Sequence, residues 1–197
     1  MKPDPDMGRY FADVPNRLIG FLVDTIILTI LSLAGAVVIS AAFGPVVTID
    51  VAADPPVSVD PGLALANAAF GTVISAVYFI GTWRGLRGSP GHRALHMQIG
   101  AEVDGSAVTY GQGVVRWLFI GLPLGVEASL TALLSGLADL LLLLALLTWY
   151  LLLLVSTARS PTKQGLHDRL AHTVVTKLAR PVTWAEGLDR QRGAGVR

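Results

Sequence analysis

The chain has no cysteine, which removes disulfides, thiolate nucleophiles and cysteine-held metals together. Charge is scarce as well: Asp, Glu, Lys and Arg make up 15% of the 197 residues, against about 25% in ordinary soluble domains. A net charge of +1 supplies no field that would draw the chain to nucleic acid. There is no phosphate-cradling glycine loop, no HExxH, no GxSxG turn and no pair of acids typical of hydrolases. These absences weigh against an enzyme, and the sequence implies neither a cofactor nor a metal.

Basic residues are also missing in an informative way. None occurs in 18–83 or in 117–158. Each stretch has room for two helices of about 20 residues, the length that crosses a hydrocarbon core of about 30 Å. The filling is apolar: 52% of the chain is hydrophobic and the mean hydropathy is +0.59. The expected fold is an all-α membrane protein of four transmembrane helices in two hairpins, at 17–42, 63–83, 113–134 and 137–157. Gly44-Pro45 stops the first, and Tyr78 and Trp83 suit the headgroup boundary at the end of the second. Trp149 and Tyr150 lie in the cytoplasmic half of the fourth. Arg116, Pro123 and Glu127 interrupt the third, which predicts a kink or an early end. The apolar/polar alternation of a membrane barrel is missing.

Positive charge flanking membrane segments stays on the cytoplasmic side. The loop 43–62 carries Asp50, Asp54 and Asp60 with no basic residue, so it faces outward. The connector 84–112, with Arg84, Arg87 and Arg93, faces inward together with both termini. The first apolar run is too long for a cleaved signal and reads as an anchor. The organisation expected is a cytoplasmic arm at 1–13, a membrane domain at 14–177 and a disordered Gly- and Arg-rich tail at 178–197.

Within the connector, Ser89 followed by Pro90 reads as a helix start, predicting a short amphipathic helix over 90–97. MQIGAEV and SAVTY flank Asp104-Gly105, a two-residue turn signal, and predict a β-hairpin. Thr173–Thr176 is a β-prone stretch able to add a third strand. Helix and hairpin together would form a small cytoplasmic cap. His92, with Arg84, Arg87 and Arg93, reads as a patch for anionic lipid headgroups. His92 and His96 have a spacing that could hold a metal, but no ligand framework accompanies them.

Asp24 is the residue that most needs a partner, since a carboxylate at membrane depth costs about 2.5–3.5 kcal/mol. Arg17 stands two helical turns away on the same face, about 10 Å along the axis. The pairs expected are Asp24 with Arg116, and Arg17 with Asp168. Two readings stand for Asp24: half of an ion pair that fixes packing, or a carrier of a proton or cation in transit. Asn67 and Ser75 read as hydrogen-bonding groups between helices, and Gly121 to Gly125 has the spacing of a close helix approach.

These motifs resemble the RDD family of bacterial membrane proteins, named for one arginine and two aspartates. In RLIGFLVD, Arg17 and Asp24 are similar to the first two signature residues, and Asp168 in GLHDRLAHTVVTK to the third. The stretch GTWRGLRGSPGHRALHMQIG, with Arg116 further on, resembles the family's middle pattern. Ser89 and His92 stand where threonine and lysine are common, so the histidine is no permanent cation. The resemblance implies a multi-pass protein of the bacterial inner membrane and suggests cation/proton antiport. The function expected is a small transporter using Asp24; the alternative is a non-catalytic accessory or assembly subunit of a larger membrane complex. Four helices enclose little volume, so the partners expected are the lipid bilayer and a second copy of the chain or other membrane proteins.

Overall fold

The structure, a computed structural model, describes residues 9–178. Residues 1–8 and the tail beyond 178 lie outside the described residues.

Three helices are long and apolar enough to cross a membrane: α1 (Val14–Phe43), α2 (Pro61–Leu86) and, counted in chain order, α6 (Leu137–Arg159). Their ends follow local chemistry. Gly44, at φ 99°, closes α1 with its N–H on the Ser40 carbonyl. The Asp60 carboxylate accepts from the Leu63 N–H at 3.0 Å and caps α2.

The single helix expected at 113–134 is instead two, α4 (Tyr110–Ile120) and α5 (Leu122–Thr131), bent by 44°. Together they could serve as a fourth crossing. Pro123 explains the break: it has no N–H to give the carbonyl of Phe119, four residues back. That carbonyl accepts instead from Trp149 Nε1 at 2.9 Å, and the neighbouring Ile120 carbonyl from Tyr150 Oη at 2.5 Å. Trp149 and Tyr150, expected only as aromatics of the helix's cytoplasmic half, thus have a structural task. They satisfy the backbone that the proline leaves open, as an apolar surrounding requires.

The expected β-hairpin about Asp104-Gly105 does not form. Its first half is a strand, β4 (Met97–Ala101), but SAVTY is not, because Val108 is drawn into the core and Thr109 caps α4 in a box with Gln112. β4 pairs antiparallel with β5 (Thr173–Leu178), and β1 (Arg9–Phe11) lines the other side of β5. The sheet order is β1-β5-β4. The β-prone stretch after the last long helix is thus the central strand, and part of the supposed N-terminal arm is an edge strand. Two five-residue helices lead into paired strands: α3 (Pro90–Ala94) precedes β4, and α7 (Leu166–Leu170) lies between α6 and β5. The helix predicted over 90–97 stops early because Met97 already belongs to β4. In the loop 43–62, β2 (Val47–Ile49) and β3 (Val57–Val59) form a small hairpin, β-branched at every position but Ser58, that the sequence reading did not anticipate.

The core sits where the sheet meets the helices. Ala12, Phe79, Trp83, Met97, Ile99, Val108, Trp117 and Val175 are buried together there. Away from it, α1 and α6 expose leucine and isoleucine along their length, such as Leu33, Leu140 and Leu147. Apolar side chains left on the outside are what a lipid-facing surface requires. One end of the bundle is knitted by the sheet, and the buried charges collect at that end.

Candidate functional site

Two fully buried carboxylates, Asp24 and Asp168, organise this end of the molecule, and their surroundings differ. The Asp168 carboxylate is clamped by two arginines. Arg17 Nη1 donates to Oδ2 at 2.6 Å, and Arg116 Nη1 donates to Oδ1. Arg116 also donates to Thr173 Oγ1 at 3.0 Å and lies over the Trp83 ring at 5.1 Å. The Gly165 N–H adds a bond to Oδ2 at 3.2 Å. One carboxylate thereby ties α1, α4 and α7 together.

Asp24 meets no arginine, which corrects the expected pairing with Arg116. The Tyr78 hydroxyl donates to Oδ1 at 2.7 Å and the Gly91 N–H to the same atom at 2.8 Å, while the Ser89 hydroxyl donates to Oδ2. His92 Nδ1 lies 2.5 Å from Ser89 Oγ and 3.7 Å from Asp24 Oδ2. The loop sequence explains this nest. Ser89 caps α3, Pro90 begins it, and Gly91 lets the backbone press onto α1. A Cβ on Gly91 would collide with the Gly20 carbonyl and lie 2.9 Å from Asp24 Cγ. Arg116 turns instead to Asp168 and Thr173.

His92 is buried, which removes it from the expected headgroup patch. Burial holds its imidazole below the usual histidine range, with the Asp24 hydrogen bond acting against that and the charges of Arg116 and Arg17 with it. His167 Nε2 lies 3.5 Å from Asp168 Oδ2. Burial, together with Arg116, Arg17 and His92, pushes its imidazole well below that range. Arg84 and Arg93 are exposed: Arg84 lies over the Tyr110 ring at 5.7 Å, and Arg93 donates to the Leu86 carbonyl at 3.2 Å. Arg87 folds back onto the Gly105 carbonyl. His96 is exposed and at φ 58°, turned out of the helix that carries His92. Among the described residues no group of three or more His, Cys, Asp or Glu side chains could hold a metal ion.

Tyr78, Trp83, Gly91 and Thr173 are site residues that the sequence reading missed as such. Tyr78 and Trp83 stood out only as boundary aromatics, and both face inward. Ser75 does bond between helices, accepting from Trp117 Nε1 at 3.0 Å, whereas Asn67 donates within its own helix to the Leu63 carbonyl at 3.0 Å. Of the two glycines in the 121–125 spacing, Gly125 is the close approach, facing Thr72 of α2.

Long lipid-compatible helices, an inserted short cap helix and buried arginine–aspartate clamping define a helical membrane protein. The model of the RDD family matches residues 11–172, and the chain belongs to that family. No curated protein and no solved structure matches it.

Proposed function

We propose that the chain is a multi-pass transporter of the bacterial cell membrane, with both termini cytoplasmic, that exchanges protons for a small cation through Asp24. The observation that carries this reading is the contrast between the two buried aspartates. Asp168 is fixed by two permanent cations. Asp24 is held only by neutral groups, and two of these are hydroxyls able to turn from donor to acceptor. When Asp24 is ionised, Ser89 donates to it. When Asp24 carries a proton, it donates to Ser89 Oγ, and Ser89 donates on to His92 Nδ1. A proton on imidazolium Nδ1 thus passes to Ser89 Oγ as the hydroxyl proton passes to Asp24 Oδ2, leaving neutral imidazole and carboxylic acid. Such an arrangement suits an intramembrane carboxylate that takes up and releases protons.

Transporters commonly build their paths between repeats or paired bundles. A single bundle of this size therefore works as a homo-oligomer. Purified protein in liposomes under an imposed cation gradient should move protons, and Asp24→Asn, which keeps the acceptor for Gly91 and Tyr78, should abolish that movement while remaining folded. Full exchange by folded Asp24→Asn protein would overturn the proposal, as would a wild-type protein that moves no protons and purifies with a larger membrane complex.

A further inference from the structure

A cavity of about 370 Å³ opens between α1, α4 and α6, beside the Arg17–Asp168–Arg116 clamp. Its volume lies within the range of small-ligand sites. The polar floor is Arg17 and Arg116 with the imidazoles of His92 and His167; the walls, deeper along the helices, include Phe21, Ile120 and Leu154. Leu18 and Leu151 at its margin are 55% and 58% exposed, so the cavity communicates with the apolar flank of the bundle. α1 packs chiefly on α2 and α3 and only sparsely on α6, which leaves this gap unfilled.

The floor is short of negative charge. Two arginines share one carboxylate, and Asp24, bound by Tyr78, Ser89 and Gly91 and 3.7 Å from His92, does not itself line the cavity. Two guanidinium donors beside it have no partner among the described residues: Arg17 Nη2 and Arg116 Nε. Buried donors without acceptors are unusual, and guanidinium groups are well matched to phosphate oxygens.

We infer that this cleft binds an anionic phospholipid of the surrounding bilayer, with its phosphate against Arg17 and an acyl chain along Phe21, Ile120 and Leu154. The polarity gradient of the cleft supports that orientation. Its cationic floor lies at the helix ends, four residues into α1 and near the end of α6, at the level of headgroups. Its apolar walls run inward from there, where acyl chains lie. A soluble anion would satisfy the floor but leave the apolar walls wet. A zwitterionic lipid would fill the walls but bring a second cation to the arginines.

The test uses the full chain, purified in mild detergent and titrated with lipid under native mass spectrometry. Phosphatidylglycerol should bind at least about tenfold more tightly than phosphatidylcholine. Palmitate, which offers an anion and one chain without the phosphate, should bind more weakly than phosphatidylglycerol. Leu154→Trp fills the cleft from an exposed position without touching the clamp, and should remove the preference. Arg17→Gln should weaken it, whereas Arg84→Gln and Arg93→Gln, on the exposed patch, should leave it intact. Equal affinity for the two phospholipids would overturn the assignment. Unchanged phosphatidylglycerol binding by Leu154→Trp, or tighter binding of palmitate, would do the same. None of these readings depends on proton movement.

Discussion

Ser89 donates its hydroxyl to the carboxylate of Asp24 while accepting the N–H of His92 at 3.4 Å. One side chain thereby caps the short helix α3 and joins it to the middle of the first long helix. Removing it would cost both the cap and a buried acceptor's partner. The pair is the joint between the cap and the membrane part, and several consequences follow from how tightly that joint is packed.

The closest packing is at Gly91. A methyl group there meets the Gly20 carbonyl and the Asp24 carboxyl carbon, both rigidly held. Gly91→Ala should lower stability by about 1–3 kcal/mol through overpacking and undock α3. The comparison is Gly81→Ala, in open space on α2 at an ordinary helical conformation. There the alanine should be neutral, or stabilising by up to about 1 kcal/mol. Thermal unfolding in detergent separates the two, and equal melting temperatures would show that α3 does not dock this way.

Asp168 carries the clamp, so its loss should be the most damaging single change. Asp168→Asn leaves Arg17 and Arg116 buried without their shared anion, and breaking such a network costs about 3–5 kcal/mol. Arg17→Gln should cost less than Arg116→Gln, because the side chains are 12% and 3% exposed respectively and only Arg116 stacks on Trp83. Near-ultraviolet circular dichroism, sensitive to the packing of Trp83, should change in Arg116→Gln and persist in Arg17→Gln. The reverse order of stability would contradict the clamp as described.

The long helices were legible because charge and hydropathy patterning report burial in lipid directly: α1, α2 and α6 run within a few residues of their expected spans. The break at Gly121 was foreshadowed by Pro123, but its acceptors were not, since nothing local tells that Trp149 and Tyr150 reach across from another helix. The sheet was misread for a related reason. Asp104-Gly105 does make a turn, with Ala101 N–H on the Ser106 carbonyl at 2.9 Å. Tertiary pairing with β5, far along the chain, won over the local hairpin. At the site, Arg17 reaching Asp168 followed from charge and position. The assignment of Arg116 to Asp24 failed because neutral donors, which leave little trace in a sequence, satisfy that carboxylate instead.

Acid should loosen the cap. His92 and His167 are both held below the usual histidine value of 6.5, chiefly by burial. Between that value and the lower folded ones, the unfolded chain binds protons that the folded chain does not. Stability is therefore full above about pH 6.5 and declines as the pH falls below it. His167→Gln, which cannot titrate, should flatten the slope of melting temperature against pH in that window. A slope identical to that of the parent protein would show that His167 contributes nothing to it.

His92 also offers the sharpest test of how Asp24 exchanges its proton. Its ring nitrogen Nδ1 stands 3.7 Å from the carboxylate, with Ser89 between them. A lysine at 92 would put a permanent ammonium into that neighbourhood, giving Asp24 the kind of cationic partner that Asp168 already has. The carboxylate would then be held in its charged form. His92→Lys should therefore fold yet exchange protons far more slowly, with the loss most marked near neutral pH. His92→Asn removes the relay without supplying a charge, so it should slow exchange less and displace its pH profile. The liposome assay distinguishes the two by comparing rate against pH in each variant, with melting temperature confirming the fold. Exchange at the parental rate and pH profile in His92→Lys would mean that protons reach Asp24 by a route other than Ser89 and His92.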